Sequence, residues 1–141
     1  MRRQPQQLRS KEMVDRLLEA TGRVLVERGL EFATTNHIAE EAGVKTAISL
    51  SDPNMVRHFK TGLLEMIGAG VDLLFANEDE ARDMAGAVDW SGTVAYLKTV
   101  SREFVITRGA RGALVWDGQT LLDIDPVKVE AVDTVGAGDM F

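Results

Sequence analysis

The sequence contains no cysteine, which excludes disulfides, thiolate catalysis and cysteine-based zinc sites. No run of apolar residues approaches the roughly 20 needed for a membrane span. The start, Met1-Arg2-Arg3-Gln4, runs into Pro5-Gln6-Gln7 without an apolar signal core behind it, so nothing marks export. These absences lead to the expectation of a cytoplasmic protein with no membrane attachment. What is present, 45% hydrophobic and 27% charged residues over 141 positions, fits a globular and not a disordered chain. That length supports one domain that buries roughly two thirds of its unfolded surface.

Charge is unevenly placed. Residues 1–45 carry eight Lys/Arg against seven Asp/Glu, whereas residues 46–141 carry eight against fifteen. The basic excess sits among Arg2, Arg3, Arg9, Lys11, Arg16, Arg23 and Arg28, which suggests that the two portions face different partners.

Along the first portion, Met13, Leu17, Leu18, Val24 and Leu25 recur at helical spacing, predicting an amphipathic helix from Ser10 to Arg28 with Ser10 as its cap. Gly29 ends it. Thr34-Thr35 caps a second short helix through Ala42, which stops at Gly43. His37 reads as a surface residue of that helix, because nothing near it in sequence would complete a metal site.

From Thr46 the pattern changes to strands alternating with helices. Short strands are expected at 46–50, 71–75, 103–107, 113–116 and 119–124, and helices at 55–67, 78–84 and 91–100, the last with Ser91 as cap. Asp117-Gly118 is a hairpin signal. Strand alternating with helix implies a parallel sheet covered on both faces. Its carboxyl edge, the usual ligand edge of such sheets, would collect Asp52 and Asn54, then Asn77 and Glu80, then Thr107 and Gly109. Each of these also has a plain reading. Asn77-x-x-Glu80 is an ordinary helix start, Glu78 and Asp79 are solvated first-turn acids, and residues 107–112 form a turn in which Arg108 and Arg111 are surface charges.

The last stretch, Asp133-Thr134-Val135-Gly136-Ala137-Gly138-Asp139, reads either as a glycine-rich turn capped by an aspartate or as an anion cradle. In the second reading, consecutive N–H groups at 136–138 converge on phosphate oxygens. Asp139, which like charge keeps from binding the anion, takes the proton of an attacking nucleophile.

Two resemblances sharpen these readings. Residues 20–44, above all Glu27-Arg28-Gly29-Leu30-Glu31-Phe32-Ala33-Thr34-Thr35-Asn36-His37-Ile38-Ala39-Glu40-Glu41-Ala42-Gly43-Val44, resemble the N-terminal segment of TetR-type transcriptional regulators. In that family a recognition helix follows. Here Lys45-Thr46-Ala47-Ile48-Ser49-Leu50-Ser51-Asp52-Pro53 stands in its place, without the aromatic positions and with a helix-breaking proline. DNA is therefore a partner only under an alternative reading as a regulator fragment, and a net charge of +1 over residues 1–45 offers little phosphate attraction.

Residues 46–141 resemble the PfkB (ribokinase-like) kinases through Ser51-Asp52-Pro53-Asn54, Asn77-Glu78-Asp79-Glu80 and the 133–139 motif, in that order. The wording of residues 49–80 is most similar to the adenosine-kinase-like branch. The resemblance implies an α/β fold, a partial ribokinase-like parallel sheet with flanking helices, preceded by a short all-α helix-turn-helix-like segment. It sets domains at 1–45 and 46–141. It implies that Asp139 is the catalytic base and that Gly136, Ala137 and Gly138 form the anion hole. Asn77 and Glu80 organise magnesium and phosphate, the glutamate through water. Thr107 and Gly109 form the nucleotide-phosphate turn, and Asp133 with the Val135 carbonyl forms the monovalent-cation site of some members. The implied cofactors are ATP, Mg2+ and K+, the substrate a small sugar or nucleoside, and the assembly a homodimer. Family members are longer on both flanks, and the helix expected after Asp139 has only Met140 and Phe141. The expectation is thus ATP-dependent phosphotransfer to a sugar or nucleoside hydroxyl, with impaired or no activity in this polypeptide alone.

Overall fold

In the second portion, Leu74 and Ala76 of one seven-residue strand and Phe104 and Ile106 of another are apolar and enclosed, and these four side chains organise the fold. The structure, a computed structural model, describes residues 8–128. These fall into two compact units divided between Thr46 and Ala47.

The first unit is helical. Helix α1 spans Leu8–Arg28, a single 3-10 turn covers Leu30–Phe32, and α2 spans Thr35–Ala42. Because α1 already runs from Leu8, Ser10 lies inside its first turn and is not its cap. Thr34 does cap α2, its side chain accepting the His37 N–H at 3.3 Å. Gly43 closes α2 in the left-handed conformation, which glycine adopts without steric cost. Two arginines of α1 bind the far end of α2. Arg16 donates to the carbonyls of Ala42 at 2.6 Å and Gly43 at 3.2 Å, satisfying groups that a helix terminus leaves orphaned. Arg23 pairs with Glu41 at 2.6 Å. Ala20 and Val24 are the enclosed positions of α1, while Met13, Leu18 and Leu25 are exposed, so the buried stripe is narrower than the sequence spacing suggested. His37 bonds the Phe32 carbonyl through Nδ1 at 2.8 Å.

The second unit is a five-stranded sheet in the order β1 (Ala47–Ser49), β2 (Val71–Asn77), β3 (Ser101–Thr107), β4 (Ala113–Trp116), β5 (Leu121–Ile124). β1, β2 and β3 are parallel, and β3, β4 and β5 are antiparallel. The sheet is therefore mixed, the parallel expectation holding for its first three strands. The residues that follow α2, where a recognition helix would run, are β1.

Helix α3 (Pro53–Ile67) joins β1 to β2, and α4 (Glu78–Ala85) with α5 (Trp90–Val100) joins β2 to β3. Because successive parallel strands advance in the same direction and such crossovers are right-handed, both connections fall on one face of the sheet. The core forms there: Val56, Leu63 and Ile67 of α3, Ala81 and Met84 of α4, and Val94 and Leu97 of α5 enclose Leu74, Ala76, Phe104, Ile106 and Leu114. Burial of each large side chain contributes about 1.5–3 kcal/mol. Leu73, Phe75, Val105 and Val115 on the opposite face are only half-buried, so the expected covering of both faces is not met among the described residues of this unit. Val56, Phe59, Leu63, Leu64 and Ile67 recur at helical spacing, yet α3 departs from helical geometry at Phe59 and both Phe59 and Leu64 are exposed.

Side-chain caps set the helix starts. Asp52 caps α3, accepting the Asn54 N–H at 2.7 Å, with Pro53 at the first helical position, where its missing N–H is harmless. The cap of α5 is Asp89, which accepts the Gly92 N–H at 2.7 Å, and not Ser91. In the hairpin loop of residues 117–120, Asp117 accepts from Thr120 and Gln119 at 2.7 and 2.8 Å, and these N–H groups hold its carboxyl below the usual range. Both tryptophans sit under cations: Arg82 lies 5.4 Å from the Trp90 ring centroid and Lys98 3.4 Å from that of Trp116. Among the described residues no helix is long and apolar enough to cross a membrane.

Gly112, between the 3-10 turn of Gly109–Arg111 and β4, has φ +81, and a Cβ there would run into the Ile124 carbonyl oxygen. Gly112→Ala should therefore lose on the order of 1–3 kcal/mol from the backbone conformation alone, with the collision adding to it. Urea unfolding checks this, and a loss under about 0.5 kcal/mol, the usual surface range, would contradict the described turn.

Candidate functional site

The three parallel strands end in step. Ser49 of β1 pairs with Phe75 and Asn77 of β2 pairs with Thr107 of β3. The Leu50 N–H donates to the Phe75 carbonyl at 3.0 Å. The chain then leaves each strand at the same edge, so the Asp52 cap, the Asn77–Glu80 motif and the Thr107–Gly109 turn are gathered there. Ser51, at the first of these exits, has φ +62 and is the sole non-glycine residue with positive φ among the described residues. Strain of this kind costs on the order of 1–3 kcal/mol and clusters at ligand sites.

Asn77 and Glu80 close on each other. The Glu80 N–H donates to Asn77 Oδ1 at 2.9 Å, the Asn77 N–H donates to Glu80 Oε2 at 2.9 Å, and Asn77 Nδ2 donates to Glu80 Oε1 at 2.8 Å. This is a capping box, in which two otherwise orphaned N–H groups are satisfied reciprocally. The plain reading of Asn77 as a helix cap is thus correct. It does not exclude a ligand role, since each Glu80 oxygen has accepted one bond and retains a further lone pair. Glu80 is 4% exposed. Burial pushes its carboxyl up from the ordinary value of about 4.5, the Asn77 N–H opposes this, and the Asp52 and Asp79 carboxylates add to the rise. The same field of carboxylates that makes a second negative charge costly makes a cation welcome.

Among the described residues no cluster of three or more acids or histidines could hold a metal ion by itself. A dedicated protein cage for magnesium is therefore not what these residues offer. They fit a hydrated ion held through water by Glu80, with its remaining oxygens drawn from a phosphate ligand, the usual mode for magnesium.

After Thr107 the chain folds tightly. The Arg108 N–H donates to the Gly112 carbonyl at 2.8 Å, the Arg111 N–H to the Arg108 carbonyl at 3.1 Å, and the Gly112 N–H to the Gly109 carbonyl at 3.0 Å. Gly109 has φ +55. Neither arginine of this turn is a plain surface charge. Arg108, with a side chain 13% exposed, pairs with Asp123 of β5 and donates to the Arg111 and Ala113 carbonyls at 3.1 and 3.4 Å. Its Nε is buried with no partner among the described residues. Arg111 pairs with Glu78, which also holds Arg82 at 3.3 Å. Glu78, expected as a solvated acid, is one of the better enclosed carboxylates at this edge, while Asp79 is exposed.

The structure therefore brings together Asn77, Glu80, Thr107 and Gly109. The other expected positions, Asp133, Val135, Gly136, Ala137, Gly138 and Asp139, lie outside the described residues. Sequence reasoning missed Glu78, Arg108, Arg111 and Asp123. The i, i+3 spacing of the two arginines across Gly109 was the available signal.

Fold and edge together define an α/β domain whose ligand side is the carboxyl end of a sheet, furnished with a capped acidic motif and a glycine turn. The pfkB family carbohydrate kinases are matched over residues 21–141, and the chain belongs to that family. The match reaches back into the helical unit. The chain is 37% identical over 78 residues to a ribokinase of Lactococcus lactis, covering 55% of this chain and 25% of the relative. It is 38% identical over 84 residues to a cytidine kinase of Thermococcus kodakarensis, covering 56% and 30%. Among solved structures, an adenosine kinase from Sinorhizobium meliloti superposes with a TM-score of 0.68 at 30% identity, over 78% of this chain and 35% of that one. The chain thus spans between a quarter and about a third of the length of these relatives.

Replacing Glu80 by glutamine removes a group whose carboxyl is raised in the folded state. Over the interval from about 4.5 up to that raised value, the folded chain binds more protons than the unfolded one, so Glu80 lowers stability as pH rises through the interval and has no such effect below it. The stability difference of Glu80→Gln relative to the native chain should accordingly shift in favour of the variant as pH rises from about 4.5. Urea unfolding between pH 4 and 7 tests this, and a difference that stays flat would show that burial does not raise the carboxyl.

Proposed function

We propose that this chain carries the nucleotide-handling part of an ATP- and magnesium-dependent phosphotransferase acting on a hydroxyl of a small sugar or nucleoside. The observation that carries the reading is the register pairing of Asn77 with Thr107 at the carboxyl edge, beside the enclosed Glu80, in a member of the carbohydrate kinase family. The names of the relatives, a ribokinase, a cytidine kinase and an adenosine kinase, support a sugar or nucleoside acceptor. Cytoplasmic ATP and magnesium pools suit such a reaction, and we assign the chain to that compartment.

In this reading Thr107 and Gly109 hold the nucleotide phosphates, and Glu80, fixed by Asn77, orients water around the cation. Magnesium, when bound, neutralises charge on the phosphates during transfer. Asp139 takes the proton of the acceptor hydroxyl as that oxygen attacks the γ-phosphorus, and the bond from phosphorus to the ADP oxygen breaks. The N–H groups of Gly136, Ala137 and Gly138 stabilise the charge that builds on the transferring oxygens. Asp133 and the Val135 carbonyl would hold a potassium ion. The helical unit, residues 1–46, carries none of the residues given a role here. Because the chain matches only a quarter to a third of the length of these relatives, the 141-residue polypeptide should bind nucleotide better than it turns over acceptor. The DNA-binding reading finds no support in the strand that follows α2.

Thermal unfolding with and without ligand tests the assignment. ATP with magnesium at about 100 times its Kd should stabilise the chain by about 2.7 kcal/mol, and magnesium-free ATP should stabilise it less. Any turnover of ribose, adenosine or cytidine should vanish in Asp139→Asn, which should keep the nucleotide-dependent stabilisation. Absence of stabilisation by ATP at any magnesium concentration would overturn the reading.

A further inference from the structure

We infer that Glu78 is a positioning residue that braces the nucleotide turn against the helix carrying Glu80; its bearing on nucleotide rests on the function proposed above. Glu78 is the first residue of α4, directly after Asn77, and its two oxygens are divided between two elements. Oε1 takes Arg82 one helical turn on, at 3.3 Å, while Oε2 takes Arg111, 33 residues away in the 3-10 turn. Arg111 is the last residue of that turn and its N–H closes on the Arg108 carbonyl, so the guanidinium is attached to the part of the turn that follows Gly109. Arg108 anchors the same turn from the other side, through Asp123 on β5.

An acid at the first position of a helix is favoured by the helix dipole alone, and that would affect only α4. The pairing with Arg111 adds a connection that a dipole does not need. It adds a side-chain link between the two motifs, Asn77–Glu80 and Thr107–Gly109, which the β2–β3 register already sets side by side. The side-chain exposures agree: Glu78 is at 16%, whereas its partners Arg82 and Arg111 are at 54% and 68%. The carboxylate is thus the fixed post and the arginines reach to it. Loosening the brace leaves each motif folded but lets the distance between them vary. The consequence falls on a ligand that must touch both, a nucleotide with its magnesium, more than on nucleotide alone.

Three variants of the full chain test this: Glu78→Gln, Arg111→Gln, and Arg111→Lys, which keeps the charge. Arg111 is exposed enough that its replacements will fold. The first readout, amide hydrogen exchange without ligand, needs no nucleotide. In Glu78→Gln and Arg111→Gln, exchange at the N–H groups of Arg108, Arg111 and Gly112 should speed by roughly twofold to fivefold, the range that an exposed ion pair supplies. Arg111→Lys should restore most of the protection, and the amides of α4 should be unchanged in both Arg111 variants. The second readout is the ratio of ADP affinities with and without magnesium, which should shrink by a similar factor in the two glutamine variants. Exchange at 108, 111 and 112 that stays at the native rate in both glutamine variants overturns the brace. Faster exchange with an unaltered magnesium ratio overturns the positioning role and leaves a structural ion pair. If the native chain binds no ADP, the proposed function falls, and the exchange result still decides the brace.

Discussion

The reciprocal closure of Asn77 and Glu80 is the constraint on which the rest of this structure depends. It ends β2, starts α4 and fixes a buried carboxylate, all with the same two side chains. Were Asn77 an apolar residue, the Glu80 N–H would be orphaned and the Glu80 carboxylate would keep only the backbone N–H of residue 77 as a donor. An unsatisfied buried group of that kind costs on the order of 1–3 kcal/mol, and more when charged. The cap is therefore the means by which an acidic side chain that burial disfavours is retained at the sheet edge. Structural and chemical roles are not alternatives here, because the hydrogen bonds that cap the helix also aim the carboxylate.

Around that point the edge is assembled by topology. Parallel strands that end in register present their following loops side by side, and a shared direction of advance puts α3, α4 and α5 on one face. The opposite face, with Leu73, Phe75, Val105 and Val115, is left half-buried within this unit. The antiparallel return of β4 and β5 beyond β3 brings Asp123 back to Arg108. The turn after Thr107 is thereby held from two directions by ion pairs of opposite origin, one to the neighbouring helix and one to the outermost strand.

Much of this was legible in the sequence because it depends on local spacing. Short apolar runs bounded by turn residues located β2, β3 and β4, and Asn77-x-x-Glu80 contains its own capping logic. Where reading failed, the deciding contact was remote. Ser91 lost the cap of α5 to Asp89, two positions earlier, because the choice depends on where the backbone turns and not on which residue can cap. Phe59 and Leu64 followed the apolar spacing of α3 and still ended up exposed, since the helix departs from regular geometry at Phe59. Glu78, Arg108 and Arg111 looked like ordinary surface charges because their partners lie 15 to 33 residues away. For the 133–139 motif, chain order alone supplied the functional expectation.

The two tryptophans and the single tyrosine, Trp90, Trp116 and Tyr96, all belong to the second unit, and each indole lies beneath a cation carried by α4 or α5. Intrinsic ultraviolet emission from this protein therefore has one origin. It reports the packing of α5 on the sheet and the seating of Arg82 and Lys98 on their rings, and it is silent about α1 and α2. An optical melting curve of the intact chain follows the sheet unit, whereas far-ultraviolet ellipticity sums both units, so any separation between the two curves measures how independently the helical unit unfolds.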